Sequence, residues 1–239
     1  MIHGFAEKYG ISYPLLSDEG SKVIRQLGIL NEGAAEQVFG IPHPGTFVLD
    51  GDGTIRSKHF YASYRERDTG VGVLEHLLGL AAFDGDGAPH GVAQDAASEG
   101  VTVKARLDSE SFAWGQRIWL SVEFAIAPGL HVYGRPIPDG YYPLEVVVEP
   151  IERVVIGEPQ LPAASPFRVD GLDEEFVVYE GTVKVQIPLT FMVVDAGALE
   201  VAVTISYQAC TATECLMPTS LRLALPIAER SLVERVKPT

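Results

Sequence analysis

From Val101 onwards, apolar and polar residues alternate with a period of two, the pattern of strands that bury one face. Turn residues such as Pro128 and Gly129 separate the runs. Many short strands without helical segments between them predict an all-β sandwich for this part of the chain. The alternating runs lie at residues 101–107, 118–124, 144–149, 183–191, 199–207 and 221–225.

The two cysteines of the chain, Cys210 and Cys215, lie between two of these runs. Four residues separate them, so we expect a tight turn with Cα atoms less than about 7 Å apart. A disulfide closing so small a ring stabilises a fold by only about 2 kcal/mol, against about 4.7 kcal/mol for a ring of roughly 100 residues. A chain of 239 residues should also fold without such a bond. The spacing therefore favours a redox-active pair.

Three other interpretations of the cysteines stay open: a structural disulfide, two unpaired buried thiols, and metal ligands. The metal interpretation is the weakest, because two thiolates leave a tetrahedral zinc ion two ligands short and no histidine follows His131. We therefore expect neither a metal nor a cofactor.

The net charge of −14, from 18 Lys and Arg against 32 Asp and Glu, disfavours binding to nucleic acids and anionic membranes. No apolar stretch approaches the ~20 residues of a membrane span. The first eight residues lack the basic and apolar regions of a secretory signal. We expect no nucleic-acid partner and no membrane span.

The first 82 residues show a different, alternating α/β pattern. Ile2 to Tyr9 is predicted to be a helix that Gly10 ends, a second helix carries Val23, Ile24 and Leu27 on its apolar face, and residues 71–80 form a final apolar helix. The sequence DGDG at 50–53 predicts a hairpin turn between two strands. The predicted fold class is therefore mixed. The predicted regions are an α/β segment at 1–82, a linker at 83–99, the sandwich at 100–228 and a tail at 229–239.

The α/β segment resembles the C-terminal part of a thioredoxin-like redoxin of the peroxiredoxin AhpC/TSA type. The residues that carry the resemblance are FAEKYGI at 5–11, PLLSD at 14–18 and GIPHPGTFVLDGDG at 40–53. Pro44 falls where many thioredoxin-like proteins have a cis-proline, although an ordinary trans bond is as compatible with the sequence.

A peroxidase activity is not expected of this segment as it stands, because residues 1–209 contain no cysteine to act as nucleophile. We expect either a truncated gene product or a half-domain that serves as a docking or packing element, and favour truncation.

The sandwich resembles the N-terminal domain of the thiol:disulfide interchange protein DsbD. The resemblance implies an immunoglobulin-like sandwich that shuttles electrons through Cys210 and Cys215 to or from a thioredoxin-like or other thiol–disulfide partner. It also implies an extracytoplasmic location, whereas a genuine N-terminus at Met1 would imply a cytoplasmic one. The motifs that carry it are YQAC at 207–210, CLMP at 215–218, PGLHVY at 128–133, YPL at 142–144, GEP at 157–159 and DEEF at 173–176 with Tyr179.

In the resembled family, a loop with an Asp-Glu-Phe element caps the disulfide until a partner docks. The cap would comprise Asp173, Glu174, Glu175 and Phe176, and we expect Tyr133 and Tyr207 to complete an aromatic wall. A plain acidic loop is the alternative interpretation.

The cysteine that a partner attacks stays open at this point. Glu214, if it points at the Cys215 sulfur, would raise the pKa of that thiol by repulsion and make Cys210 the more acidic of the two. The resemblance instead implies that Cys215 receives the attack.

The sequence thus predicts a thiol–disulfide oxidoreductase. The two alternatives are a non-catalytic binding module with a structural disulfide and a fragment of a peroxiredoxin-like peroxidase whose catalytic half is missing.

Overall fold

The computed structural model describes residues 2–36, 39–63, 66–79, 91–168 and 175–230. The chain folds as two compact units, one up to Arg67 and the other over Asp68–Arg230. The mixed class predicted from the sequence, a partial α/β segment followed by an immunoglobulin-like sandwich, is confirmed. No helix in the described ranges is long and apolar enough to cross a membrane.

The first unit contains two helices, α1 (Ile2–Tyr9) and α2 (Lys22–Gln26), and a hairpin of β1 (Gly45–Leu49) and β2 (Ile55–Phe60). The turn forms at the predicted DGDG, where the Asp52 carboxylate accepts a hydrogen bond from the Thr54 N–H at 2.9 Å. Among the described residues the one cis peptide bond is Arg135–Pro136, so the bond before Pro44 is trans.

The second unit begins within β3 (Arg67–Asp68) and continues through helix α3 (Gly70–Gly72) and a π-helical turn (Val73–Leu77). Its further strands are β4 (Ala93–Ser98), β5 (Val101–Leu107), β6 (Ser111–Phe112), β7 (Gln116–Ile126), β8 (His131–Tyr133), β9 (Glu145–Val148), β10 (Val154–Ile156), β11 (Ser165–Arg168), β12 (Glu175–Tyr179), β13 (Thr182–Phe191), β14 (Ala198–Tyr207), β15 (Ala209–Cys210) and β16 (Thr219–Glu229).

In the described part of this unit, three sheets contribute residues to the main apolar core. Strands β10-β13-β7-β5-β4 form one sheet, β6-β16-β14-β9 the second and β11-β12-β8-β15 the third. The alternation read from the sequence places every second residue inward, as in β5, where Val101, Val103 and Ala105 are at most 1% exposed. The third sheet is the one that carries a cysteine.

Residues 93–98, which the sequence placed in the linker, form strand β4. This strand pairs with β5 over its whole length, and its residues alternate between exposed and half-buried. Its small residues Ala93, Ala96 and Ala97 give little apolar contrast, which is why the alternation is hard to see in the sequence. The beginning of the predicted linker, 83–90, and the end of the predicted tail, 231–239, lie outside the described residues.

The segment at 69–77 belongs to the sandwich unit, although the sequence assigned it to the redoxin segment. The Thr69 hydroxyl donates to the buried Asp108 carboxylate at 2.9 Å, and that carboxylate also accepts a hydrogen bond from the backbone N–H of Trp119 at 2.9 Å. The His76 ring stacks on the Trp119 ring at 4.6 Å. The hydrogen bond joins the segment to Asp108, just after β5, and the ring stacking joins it to β7. They involve residues distant in sequence, so local patterns do not reveal them.

Replacement of Asp108 by asparagine should change how stability depends on pH. Burial raises the pKa of Asp108 from 3.8 to about 6, so the folded protein holds this proton more tightly than the unfolded chain. The contribution of Asp108 to the free energy of unfolding therefore falls as the pH rises from about 4 to about 6. The free energy of unfolding of Asp108→Asn, measured with urea and taken relative to wild type, should rise by about 3 kcal/mol across this window. A difference independent of pH would contradict the prediction.

Candidate functional site

A disulfide joins Cys210 and Cys215, with their Cα atoms 4.0 Å apart. This confirms the predicted proximity of the two residues. The segment between them is a tight turn in which the Thr211 N–H donates to the Glu214 carbonyl at 2.8 Å, and the Leu216 N–H donates to the Ala209 carbonyl at 2.9 Å. The disulfide therefore closes a small hairpin at the end of the third sheet.

Thr211 holds this turn through its side chain. Its hydroxyl oxygen accepts the N–H groups of Thr213 at 3.2 Å and Glu214 at 3.1 Å. Hydroxyl side chains that bond to backbone groups two and three residues further on are a common means of fixing a turn. The backbone between the cysteines is thus ordered by local hydrogen bonds in addition to the disulfide.

The two cysteines differ sharply in exposure. Cys210 is 0% exposed, whereas Cys215 is an exposed residue. The nearby Met217 is 76% exposed, and the Tyr133 hydroxyl lies 3.7 Å from the Cys215 sulfur. A second protein can therefore approach the disulfide at Cys215, while Cys210 is closed off by the sandwich.

Strand β15 pairs with β8 so that Cys210 lies opposite His131 and Ala209 lies opposite Val132. Opposed residues in an antiparallel pair project from the same face of a sheet. Val132 and Ala209 belong to the main core, so His131 and Cys210 face the other side. We call the apolar group on that side the disulfide cluster. It consists of Tyr133, Phe176, Val178 and Cys210, with Ile137, Tyr141 and Phe167 packed against them.

Three aromatic rings form the centre of the disulfide cluster. Tyr133 lies 5.4 Å from Phe176 and 5.2 Å from Tyr141, and Tyr141 lies 5.0 Å from Phe176, as ring-centroid distances. Burial, and to a lesser extent the neighbouring Tyr141, raises the pKa of Tyr133 above 10.0. The Tyr133 hydroxyl therefore stays protonated at neutral pH and is a hydrogen-bond donor beside Cys215.

His131 is 3% exposed, and its Nε2 is a buried atom without a hydrogen-bond partner in the described structure. Its ring lies 4.4 Å from that of Phe167 and meets Tyr133 edge to face at 5.3 Å. Burial lowers the pKa of His131 below 6.5, against an opposing effect of Glu180. Sequence reasoning did not assign His131 or Phe167 to the site. The sequence feature that could have assigned His131 to the site is its position two residues before Tyr133, because alternate residues of a strand share one face.

Only some of the residues predicted to shield the disulfide lie in the disulfide cluster. Phe176 is 1% exposed and belongs to the disulfide cluster, but it lies on strand β12 and not on a loop. Glu175 is exposed and forms an ion pair with Arg168 across the β11–β12 pair. The predicted cap residues Asp173 and Glu174 lie outside the described residues.

Tyr207 was expected beside the disulfide, and the structure places it elsewhere. Its side chain is 1% exposed in the main core and packs edge to face against Phe124 at 6.4 Å. Its hydroxyl donates to the Ser98 carbonyl at 3.5 Å. Tyr207 ends β14 before the chain crosses to the third sheet, so its side chain still points into the main core.

No group of three or more His, Cys, Asp or Glu side chains that could hold a metal ion occurs among the described residues.

The family model of the N-terminal domain of thiol:disulfide interchange protein DsbD matches residues 103–226, slightly more than half of the chain. The chain belongs to the DsbD N-terminal family. The match spans the motifs around both cysteines and most of the sandwich. Homology to DsbD N-terminal domains implies thiol–disulfide exchange with partner molecules, which is an oxidoreductase-type activity.

Solved structures that are similar to part of this chain include three with 16–17% identity to it. The N-terminal periplasmic domain of ScsB from Proteus mirabilis has a TM-score of 0.41, and the match covers 56% of this chain and 51% of that one. The reduced DsbD N-terminal domain of Neisseria meningitidis has a TM-score of 0.33, covering 56% and 82%. A complex of the DsbD and PilB N-terminal domains from that organism has a TM-score of 0.32, covering 44% and 73%.

Outside the DsbD N-terminal region, the AhpC/TSA family model matches residues 2–58. Chloroplastic peroxiredoxin Q of Gentiana triflora is 43% identical over 53 residues, which is 22% of this chain and 22% of that protein. The chain thus spans less than a quarter of the curated relative that it matches. The predicted resemblance to redoxins is confirmed for this part of the chain.

Proposed function

We propose that the Cys210–Cys215 pair exchanges electrons with a thioredoxin-like partner protein and that Cys215 is the sulfur the partner attacks. The observation that carries the proposal is the contrast between a fully buried Cys210 and an exposed Cys215 within one disulfide. Exchange requires a thiolate to reach a sulfur in line with the bond that breaks, and access decides which sulfur is attacked.

The exchange proceeds in two steps. A partner thiolate attacks Cys215, forming a mixed disulfide while the Cys210–Cys215 bond breaks and its electron pair leaves on Cys210, which takes up a proton. The second partner thiolate then attacks the partner sulfur of the mixed disulfide and releases Cys215, which is also protonated. Two electrons and two protons pass from the partner to this chain, and the reverse sequence returns them.

Tyr133 has a defined role in this scheme. Its hydroxyl lies 3.7 Å from the Cys215 sulfur and is held protonated by burial, so it donates a hydrogen bond when Cys215 carries negative charge. The exposed Met217 offers a partner an adaptable apolar contact next to the reacting sulfur.

The reduction potential of the pair tests the proposal. We expect a value above about −300 mV, because structural disulfides typically lie below that value and exposed exchanging ones above it. The measurement equilibrates the protein with thiol–disulfide buffers and counts free thiols by alkylation, with the double variant Cys210→Ser, Cys215→Ser as the blank. A potential well below that value, together with no reduction by a thioredoxin, would support the alternative of a structural disulfide.

A further inference from the structure

His131 is a buried titratable residue that the exchange scheme does not yet use. It lies directly opposite Cys210 in the β8–β15 pair and projects from the same face of the sheet. Opposed residues have Cβ atoms about 4.5–5.5 Å apart, a separation that an imidazole ring can span to reach a cysteine sulfur. Its Nε2 has no partner in the described structure while the disulfide is formed.

The surroundings of His131 keep the imidazole neutral. Phe167 of β11 packs on one side and Tyr133 of its own strand on another, and neither carries a charge at neutral pH. Glu180, just after β12, favours the protonated ring, but burial outweighs it and the pKa falls below 6.5. Cys210 is the titratable group that faces it from β15. A neutral imidazole has one nitrogen free to accept a proton.

Cys210 needs such an acceptor when the disulfide forms. Closing the ring requires the Cys210 sulfur to attack Cys215, and the thiolate is the attacking species. Cys210 is 0% exposed within an apolar cluster, and burial of this kind disfavours the thiolate. Water does not reach the sulfur, and the Tyr133 hydroxyl lies beside Cys215 and stays protonated.

We infer that His131 accepts the proton of the Cys210 thiol as the disulfide closes. The inference rests on the proposed exchange function. In the mixed disulfide of Cys215 with the partner, the Cys210 proton passes to the imidazole while the Cys210 sulfur attacks Cys215. The Cys210–Cys215 bond forms, the bond to the partner breaks, and the electron pair leaves on the partner sulfur. The imidazolium then loses its proton to that thiolate or to solvent.

The attraction between thiolate and imidazolium in a buried site offsets part of the cost of forming the two charges. In the opposite direction the same residue returns the proton to Cys210 as its thiolate leaves. His131 thus serves both directions of exchange without being exposed to the partner.

The test follows the reactions of the two cysteines separately, because each reaction releases its own equivalent of a coloured product. Reduced protein is mixed with dithiobis(nitrobenzoate), an aromatic disulfide. A first thionitrobenzoate is released when Cys215 attacks the reagent, and a second is released when Cys210 closes the ring. In His131→Phe, which retains an aromatic ring, we expect the first phase to be unchanged and the second to be slowed about 10- to 100-fold at about pH 7, within the range of general base catalysis.

The variant His131→Gln keeps a polar side chain but cannot carry the proton, so it should show the same loss. In wild type, the rate of the second phase should level off near the histidine pKa. In both variants it should continue to rise with pH until the thiol itself ionises, near or above about 8.5. The wild-type pH profile decides the question even if a variant does not fold.

The experiment distinguishes failure of the role of His131 from failure of the proposed exchange function. Release of both equivalents by wild type with an unchanged second phase in both variants, or a wild-type profile governed by the thiol pKa alone, would overturn the role of His131 and leave the exchange function intact. Release of a single equivalent by wild type, with no ring closure, would instead overturn the proposed exchange function.

Discussion

Replacement of Cys210 by serine should turn the exposed Cys215 into a trap for a thiol–disulfide partner. Cys215 remains accessible and can form the mixed disulfide, but no second sulfur is left to release the partner. The reciprocal variant, Cys215→Ser, leaves only a thiol that is 0% exposed. We expect its reaction with an oxidised thioredoxin, or with a small aromatic disulfide, to be slower by about 100-fold or more, because exchange depends on thiolate fraction and on access.

The measurement compares the rates of mixed-disulfide formation of the two single variants under identical conditions. The double variant Cys210→Ser, Cys215→Ser is the control for reactions that do not involve these sulfurs. Urea midpoints of all three variants show whether the domain remains folded. Equal rates for the two single variants would contradict the assignment of Cys215 as the attacked sulfur, and a faster Cys215→Ser would reverse it.

Truncation of Phe176 to alanine should affect stability and disulfide chemistry together. Phe176 is 1% exposed and packs against Tyr133 and Tyr141 in the cluster that encloses Cys210. Its loss should lower the free energy of unfolding by about 3–5 kcal/mol, as for other buried phenylalanines. It should also admit water to Cys210, which stabilises the leaving thiolate and makes reduction by dithiothreitol several-fold faster.

The matched control is Phe124→Ala. Phe124 is 0% exposed on β7, but it belongs to the main core and packs against Tyr207, away from the disulfide cluster. We expect a similar fall in stability and an unchanged reduction rate, measured well below each urea midpoint. Equal reduction rates for wild type and Phe176→Ala would show that this ring does not control the reactivity of the disulfide. Equal acceleration in both variants would attribute the effect to general destabilisation.

The exposure of Cys215 and the burial of Cys210 explain why the sequence left the attacked sulfur open. The two residues flank one turn, and the local sequence gives only the argument that Glu214 would repel a Cys215 thiolate. Glu214 is exposed, and its carbonyl takes part in the turn. The deciding factor is instead that β15 pairs with β8 and places Cys210 against rings from β8 and β12.

The sequence alone determined the sandwich, the hairpin turn of the redoxin segment, and the meeting of Cys210 and Cys215. These features depend on short-range patterns: alternation with a period of two, turn residues, and a spacing that permits one tight turn. Alternation with a period of two shows which residues share a face of a strand. This alternation does not show which face packs against the main core and which packs against the disulfide.

Only the tertiary structure decided which face meets which cluster, as four residues show. Tyr207 and Tyr133 were both expected beside the disulfide, yet Tyr207 points into the main core and Tyr133 into the disulfide cluster. Phe176, expected on a loop, lies on a strand between the partners β8 and β11. His131 came to face Cys210 through a pairing of strands nearly eighty residues apart in sequence. Such pairings depend on how complete strands fit around a shared core, and no local pattern encodes that fit.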